Sequence, residues 1–227
     1  MKVALIGKGN LGHHLYEGLR THVSIEWYGK DYPKTIDADL ILVAVPDTEV
    51  LNVCNSFKNQ LIAHTAGSVK LPNTSRAAVF YPLYSFTKAQ DINWLKVPLL
   101  LETARKEDES LLHELAQLLT EKIFWISSEQ RENLHAAAVL VNNFTNHLYT
   151  LASDHCTAYD LPFEVLHPIM NQGPAKAIES TPLEAQTGPA KRGDQNTMDK
   201  HLLQLKNDKL RELYVLMSNS IKQRDEL

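Results

Sequence analysis

The chain has 227 residues, a net charge of −4 and 44% hydrophobic residues, a composition typical of a folded protein with a substantial core. Its lysines and arginines are scattered, which argues against nucleic acid or an anionic membrane as a partner. Its two cysteines, Cys54 and Cys156, are too few for a disulfide framework or a zinc site. We therefore expect a cytoplasmic protein without a signal peptide or a transmembrane segment.

A glycine pattern follows the first predicted strand. Val3–Ile6 is an apolar run, and Gly7, Gly9 and Gly12 follow it with G-x-G-x-x-G spacing. Leucines then recur at helical spacing over residues 11–19. A glycine-rich turn between a strand and a helix lets the backbone approach a pyrophosphate, which the helix N-terminus attracts. The pattern thus predicts dinucleotide binding rather than a plain turn, through Gly7, Gly9, Asn10, Leu11 and Gly12.

The end of the second predicted strand, Val23–Tyr28, indicates which nicotinamide cofactor binds. An acidic residue at this point accepts a hydrogen bond from the ribose 2′-hydroxyl of NAD, whereas a basic residue meets the 2′-phosphate of NADP. Gly29 occupies the position of the acid, and Lys30 follows it. The sequence therefore favours NADP through Lys30. Asp31 keeps NAD open as the less favoured cofactor. The remaining alternative is that Lys30 and Asp31 are merely solvated residues of a turn.

Two more loops follow predicted strands that belong to the same sheet. Val45, Pro46 and Asp47 end the continuous apolar run that starts at Leu40, and residues 64–68 follow the next strand. Ligands of open α/β sheets bind beyond the carboxyl ends of the strands. We expect cofactor contacts from Val45, Pro46, Thr65 and Gly67. The alternative is that these residues only end their strands.

The order of the predicted elements indicates an α/β fold. Gly29–Asp39 is too short for a crossover helix and another strand, so the Rossmann-like parallel sheet is expected to be abridged. We predict strands at 40–45, 61–64, 77–81, 98–101 and 122–126 and helices at 48–57 and 106–120. From Ser128 onward helical spacing dominates. We therefore predict a Rossmann-like domain over residues 1–126 and an all-α helical domain over residues 127–227.

A cluster of polar and aromatic residues, Tyr81–Ser85, follows the strand at 77–81. Tyr81 or Ser85 is placed to hydrogen-bond a substrate carbonyl. An aromatic corner of the core explains the cluster equally well. The sequence contains no nucleophile–base triad, no metal-ligand spacing and no P-loop lysine, so we expect no metal site.

The first helix of the second domain is predicted to run from Ser128 to Tyr159, without a full capping box at Ser128. Between its positions 132 and 154 there is no Asp, Glu, Lys or Arg. At ~100° per residue, His135, Asn142 and Asn146 fall within about 20° of one line. An uncharged polar stripe predicts contact with a protected polar space, or alternatively hydrogen bonds across a subunit interface.

Roles follow for the residues of this stripe. A histidine imidazole can donate or accept a proton, which favours His135 for that role, and Asn142 and Asn146 would orient a substrate. Further helices are predicted at 163–170, from Pro174, at 197–207 and at 208–221, with a loop at 187–194. In that loop Arg192 would pair with an acidic substrate or simply with Asp194.

The last four residues, 224–227, resemble an endoplasmic-reticulum retention tail, but we interpret them as the frayed end of a charged helix.

Several strings of residues together resemble one known family. They are Gly7-x-Gly9-x-x-Gly12, Val45-Pro46-Asp47, His64-Thr65-Ala66-Gly67-Ser68, Phe80-Tyr81-Pro82, His135-Ala136-Ala137-Ala138 and Thr187-Gly188-Pro189-Ala190-Lys191-Arg192-Gly193-Asp194. The family consists of provisionally assigned NADP oxidoreductases that join a Rossmann-like domain to a helical domain of unknown function. The chain is more distantly similar to pyrroline-5-carboxylate reductase, prephenate dehydrogenase and the β-hydroxyacid dehydrogenases. The likeness covers nearly the whole chain.

The resemblance implies an NADP-dependent oxidoreductase. It implies a homodimer formed by the helical domains and a small-molecule substrate, a carbonyl, imine or hydroxy compound, held between the two domains. Two features of the distant relatives are missing: Ala138 and Val139 stand where β-hydroxyacid dehydrogenases have a lysine, and Tyr81 replaces the histidine of a His-Pro pair. The alternatives are a non-catalytic NADP(H) sensor and, since the first domain is similar to deazaflavin-dependent enzymes, hydride exchange with a deazaflavin.

Overall fold

The computed structural model describes residues 1–224, so the expected fraying after Arg224 lies outside the described residues. The chain forms two compact units, Met1–Leu140 and Val141–Leu227. The predicted boundary after residue 126 coincides with the end of the strands, whereas the first compact unit extends over the helix that follows. Within residues 1–224, no helix has both the length and the apolar character that a membrane crossing requires.

The strands of the first unit form one seven-stranded sheet. They are β1 (Lys2–Ile6), β2 (Ser24–Tyr28), β3 (Leu40–Val43), β4 (Ile62–His64), β5 (Ala77–Pro82), β6 (Leu99–Thr103) and β7 (Ile123–Trp125). The spatial order is β2-β1-β3-β4-β5-β6-β7. No helix lies between β2 and β3 in the described structure, as the short connection over residues 29–39 predicts. The α/β fold class and the abridged Rossmann-like sheet are confirmed.

The direction of the strands changes once across the sheet. β1 to β5 run parallel, whereas β6 is antiparallel to β5 and β7 is parallel to β6. The predicted parallel arrangement therefore holds from β1 to β5 but not between β5 and β6. The connection from β5 to β6 is long but irregular: it contains only a short 3-10 turn, Trp94–Lys96, and no crossover helix of the kind that usually joins parallel neighbours.

Helices cover both faces of the sheet. On one face α1 (Asn10–Leu19) and α3 (Glu109–Gln117) bury their leucines against the strands. On the other face α2 (Asp47–Asn55) packs Val50 and Val53 against the strands. All four residues of β3 are buried, as expected for an apolar strand covered on both sides. A 3-10 turn, Lys106–Asp108, precedes α3.

The first helix after the sheet, α4 (Ser128–Ala138), starts with a full capping box that the sequence analysis did not identify. The box is one residue earlier than the position considered: Ser127 is the N-cap, and its side chain accepts from the backbone N–H of Gln130. The Gln130 side chain accepts in return from the backbone N–H of Ser127 at 2.9 Å.

The long helix predicted from Ser128 to Tyr159 is present as a continuous helical run over residues 128–157, but it is not α-helical throughout. α4 is followed by a π-helical segment, Val139–Phe144, and then by α5 (Thr145–Thr157). A π-helix has more residues per turn than an α-helix, so the angles calculated at ~100° per residue do not carry through this segment. The predicted alignment of His135 with Asn142 and Asn146 is therefore not supported.

The remaining helices belong to the second unit. They are α6 (His167–Glu179), preceded by a 3-10 turn at Phe163–Leu166, then α7 (Pro182–Ala185), α8 (Gln195–Gln204) and α9 (Asp208–Arg224). The prediction that Pro174 starts a helix is wrong, because Pro174 lies inside α6. Pro168 takes the helix-start position instead, where the missing N–H of proline costs nothing.

Candidate active site

A cleft of about 960 Å³ lies beyond the carboxyl end of β1. The chain leaves β1 for β2 on one side and later returns for β3 on the other, so this edge is the switch point of the sheet, where ligands bind in open α/β folds. Eight of the predicted cofactor-binding residues line the cleft: Gly7, Gly9, Asn10, Leu11, Lys30, Val45, Pro46 and Thr65. Fold topology and predicted residues thus identify the same site.

Each of the three glycines of the turn is required for a different structural reason. Gly7 has φ +124°, and a Cβ added there would overlap the backbone carbonyl of Ala44 in the loop after β3. A Cβ at Gly12 would overlap the carbonyl of Gly7, so Gly12 lets α1 pack closely beneath the turn. At Gly9, by contrast, an added Cβ would meet no protein atom within 4 Å. Gly9 therefore leaves the turn open on the side of the cleft that it lines.

Trp27, near the end of β2, supports the glycine turn. Its indole Nε1 donates a hydrogen bond of 2.8 Å to the Gly7 carbonyl, and its ring stacks on Tyr16 of α1 with centroids 4.5 Å apart. The Lys88 ammonium donates to the carbonyl of Lys8 at 2.9 Å. Sequence reasoning missed these supports because they connect residues that are distant in the chain.

The cleft has residues that the sequence did not single out as ligand contacts. Lys8 and Tyr32 line it, as do Asp47, Thr48 and Glu49 of the first turn of α2. Asp47 accepts a hydrogen bond from the hydroxyl of Ser68, which follows β4. This contact connects the two loops that were predicted to meet the cofactor.

Next to these loops, Tyr81 and His135 form a pair. The phenolic oxygen of Tyr81 at the end of β5 lies 2.9 Å from Nδ1 of His135 on α4. Gly67 packs against both: a Cβ at this position would lie 2.5 Å from His135 Nδ1 and 2.8 Å from Tyr81 Cζ. Thr65, two residues before Gly67, lines the cleft. The structure therefore places Gly67 against the pair, and the loop after β4 extends from the cleft to the pair.

The Tyr81 hydroxyl stays protonated at neutral pH. Burial raises the pKa of Tyr81, and the negative charge of Asp47 raises it further, whereas Arg131 opposes the shift. His64, buried at the end of β4, is neutral for a similar reason: burial, assisted by Arg131, lowers its pKa to about 4. The His64 Nδ1 accepts from the backbone N–H of Ala66 at 3.2 Å, which fixes the start of the loop.

A buried ionic network holds α4 on the sheet. The guanidinium of Arg131 is fully buried, pairs with Glu102 of β6 and donates to the Val69 carbonyl at 2.6 Å. Glu102 also accepts from the hydroxyl of Ser128 at 2.8 Å. Because Arg131 lies one helical turn before His135, this network fixes the part of α4 that presents His135 to Tyr81.

The other predicted site residues are not brought to this pair within the first unit. Ser85 is exposed in the loop after β5. Asn142 lies in the π-helical segment and Asn146 in α5, both exposed residues of the second unit. Arg192 is exposed in the predicted loop before α8. In residues 1–224, no group of three or more His, Cys, Asp or Glu side chains is arranged to hold a metal ion.

Asp194, the predicted partner of Arg192, is the N-cap of α8. It accepts from the Thr197 hydroxyl at 2.7 Å and from the Thr197 backbone N–H at 3.1 Å. These bonds lower the pKa of Asp194, and Arg192 contributes less than they do. The principal role of Asp194 is therefore to cap the helix.

Comparison with known proteins identifies the family. Residues 97–221, more than half of the chain, match the family described as a domain of unknown function, DUF2520. The chain belongs to the DUF2520 family. None of the curated proteins matches this DUF2520 chain in sequence.

Solved structures share the fold over the full length. A Bacteroides fragilis protein provisionally described as an NADP oxidoreductase is 30% identical, with a TM-score of 0.87 over 98% of each chain. A Thermotoga maritima protein of unstated activity is 20% identical, with a TM-score of 0.73 over 99% of this chain and 100% of its own. An imine reductase from Myxococcus stipitatus with NADP⁺ bound is 13% identical, with a TM-score of 0.63 over 98% of this chain and 92% of its own. The last two likenesses concern the fold alone.

Proposed function

We propose that the chain is an NADP-dependent oxidoreductase that transfers a hydride between the nicotinamide and a small carbonyl, imine or hydroxy substrate. The observation that carries the proposal is the continuity of the site: the glycine turn lines one part of the cleft, and the loop that starts at Thr65 leads from the cleft to Tyr81 and His135. The relative described as an NADP oxidoreductase, which is 30% identical over 98% of each chain, supports the same reaction class.

The residues present fit a dinucleotide. A volume of about 960 Å³ is large enough for one. Gly9 opens the turn to the cleft, and Asn10 and Leu11, at the start of α1, line it. The backbone N–H groups of a helix N-terminus favour an anion such as a pyrophosphate. Lys30 lines the cleft at the end of β2 and would favour a 2′-phosphate. The bound NADP would supply the hydride, and the protein would position the reactants.

The pair Tyr81–His135 would manage the proton. In one tautomer, the Tyr81 hydroxyl donates to Nδ1 of His135. The Nε2–H proton of His135 then goes to the substrate while Nδ1 takes the phenol proton, so the imidazole stays neutral and the negative charge is left on the Tyr81 oxygen. In the other tautomer, Nδ1–H donates to the Tyr81 oxygen, and the phenol proton goes to the substrate. In both, the two side chains share one hydrogen bond and act as a unit. Asn142, Asn146, Ser85 and Arg192 remain proposed substrate contacts.

The substitution Gly9→Val tests the cofactor site without disturbing the fold. Gly9 has φ −73° and ψ −169°, which valine adopts readily, and no protein atom lies within 4 Å of the added Cβ. The side chain would instead occupy the cleft, so we expect the affinity for NADPH to fall by about 100-fold while the melting temperature stays unchanged. Fluorescence titration with NADPH and NADH measures the two affinities. Oxidation of NADPH in the presence of oxo acids and imines then measures the activity. A wild-type protein that binds neither nucleotide would contradict the proposed function.

We also propose that the protein acts as a cytoplasmic homodimer. Val141 and Phe144 of the π-helical segment and Leu148 of α5 are large apolar side chains that the single chain leaves exposed, by 75%, 56% and 38%. Static light scattering is expected to give twice the mass of the 25.6 kDa chain. The double variant Val141→Ser/Phe144→Ser is expected to shift the mass toward the monomer, whereas Leu95→Ser, at an exposed leucine beside the sheet, leaves it unchanged. A monomeric wild-type protein would refute this proposal.

A further inference from the structure

We propose that Lys8, inside the glycine turn, is the second residue that recognises the 2′-phosphate of NADP, opposite Lys30. This inference rests on the proposed function, and it assigns cofactor selectivity to a residue of the turn itself. The sequence pattern treats Lys8 only as the variable position of G-x-G, where the type of side chain is not specified.

The geometry brings Lys8 to the end of β2. A Cβ at Gly29, the position where an NAD-binding chain has its acid, would lie 3.7 Å from Cδ and 3.9 Å from Cε of Lys8. The aliphatic part of Lys8 therefore covers Gly29. Lys8 and Lys30 both line the cleft, and both are exposed to an incoming ligand. Two cations thus flank the one position whose side chain distinguishes the two cofactors in this type of fold.

Trp27 determines the direction of the Lys8 side chain. The ammonium of Lys8 lies 5.4 Å from the centroid of the Trp27 ring, within the range of a cation–π interaction. The same indole donates to the carbonyl of Gly7, the residue before Lys8. The Trp27 side chain therefore contacts both the ammonium of Lys8 and the backbone next to Lys8. An oriented lysine loses less conformational freedom when it binds an anion, so its contribution to affinity is larger.

The acidic residues of the cleft are elsewhere. Asp47 and Glu49 line it from the first turn of α2, which follows β3 in the chain. Asp31, which kept NAD open as a cofactor, is not among the residues that line the cleft. The end of the cleft at β2 therefore presents positive charge, which suits a phosphate dianion better than the neutral 2′-hydroxyl of NAD.

The experiment compares ligands that differ only in the 2′-phosphate. Dissociation constants are measured for NADPH and NADH, and for adenosine 2′,5′-bisphosphate and 5′-AMP, with the wild-type protein and with Lys8→Gln, Lys30→Gln and Lys8→Arg. We expect Lys8→Gln to weaken the two 2′-phosphorylated ligands by about 10- to 100-fold and to leave NADH and 5′-AMP unchanged. Lys8→Arg should retain most of the affinity. Lys34→Gln, an exposed lysine of the same β2–β3 connection outside the cleft lining, is the matched control and should change nothing.

The outcomes separate this inference from the proposed function. Equal weakening of NADPH and NADH by Lys8→Gln would place Lys8 at the pyrophosphate, which both share, and would overturn the inference. Unchanged NADPH affinity in Lys8→Gln would overturn it as well. In both cases the protein still binds a nicotinamide cofactor, so the proposed function stands. A wild-type protein that binds neither cofactor would refute the proposed function and this inference together.

Discussion

Replacing His135 with alanine is expected to lower kcat by about 10²–10⁴-fold and to leave the dissociation constant for NADPH unchanged. The reason is the position of His135: its ring is hydrogen-bonded to Tyr81 and packs on Gly67, and His135 is not among the residues that line the cofactor cleft. Removal of the imidazole would therefore affect proton transfer and not cofactor binding. Steady-state kinetics with NADPH, together with a direct binding titration, measures the two effects separately.

Tyr81→Phe extends the same experiment to the other half of the pair. It removes only the hydroxyl that contacts His135, so its effect on kcat should approach that of His135→Ala. The double variant should be scarcely worse than either single variant, because groups that act as a unit give non-additive effects. His22→Ala is a matched control, since His22 is an exposed histidine in the connection from α1 to the edge strand β2. Full turnover in His135→Ala would remove the pair from the mechanism and favour the non-catalytic NADP(H)-binding alternative.

The first strand, the glycine turn and α1 could be predicted because the information is local. A strand, three glycines and a leucine repeat follow each other within residues 3–19, and each glycine is required by contacts at that turn or by the cleft that it borders. The abridged sheet was predictable for a similar reason, since the length of the 29–39 connection limits what it can contain. The reversal at β6 depends on a long irregular connection. The hydrophobic pattern of such a connection does not indicate whether the next strand is parallel or antiparallel.

The pairing of Tyr81 with His135 could not be predicted as a contact, although both residues were individually proposed. The two are 54 positions apart, and they meet only because α4 is held on the strand ends by Arg131 and Glu102. The helical wheel instead assigned His135 to a stripe with Asn142. That assignment assumed α-helical angles throughout, and the π-helical segment from Val139 changes these angles. No simple periodicity in the sequence announces such a segment.

Lys8 and Trp27 show a second limit of sequence reasoning. The G-x-G pattern specifies its glycines through backbone geometry and is indifferent to the residue between them. Whether Lys8 meets the phosphate or solvent depends on the indole of Trp27, which lies on a different strand. Selectivity thus depends on a tertiary contact, while the existence of a dinucleotide site is a local property of the chain.

Arg131→Met is expected to lower the free energy of unfolding by about 3–5 kcal/mol, because it leaves the Glu102 carboxylate largely buried without its cation. Methionine keeps the aliphatic stem of the side chain, so the loss measures the missing guanidinium with its charge, its hydrogen bonds and its buried volume. Urea unfolding monitored by circular dichroism gives the free energy. Arg20→Met is the matched control: Arg20 pairs with Glu17 on the exposed side of α1, and such surface pairs contribute about 0–1 kcal/mol.

The double variant Arg131→Met/Glu102→Gln decides whether the loss comes from the unpaired charge. The neutral amide that replaces the Glu102 carboxylate can still accept from the Ser128 hydroxyl and leaves no buried charge, so the double variant should be more stable than Arg131→Met by more than about 1 kcal/mol. A double variant as unstable as the single one would mean that the bond from Arg131 to the Val69 carbonyl is decisive instead. Since Arg131 precedes His135 by one turn of α4, both variants should also lower kcat without changing NADPH affinity. This is the result expected if the network exists to hold His135 against Tyr81.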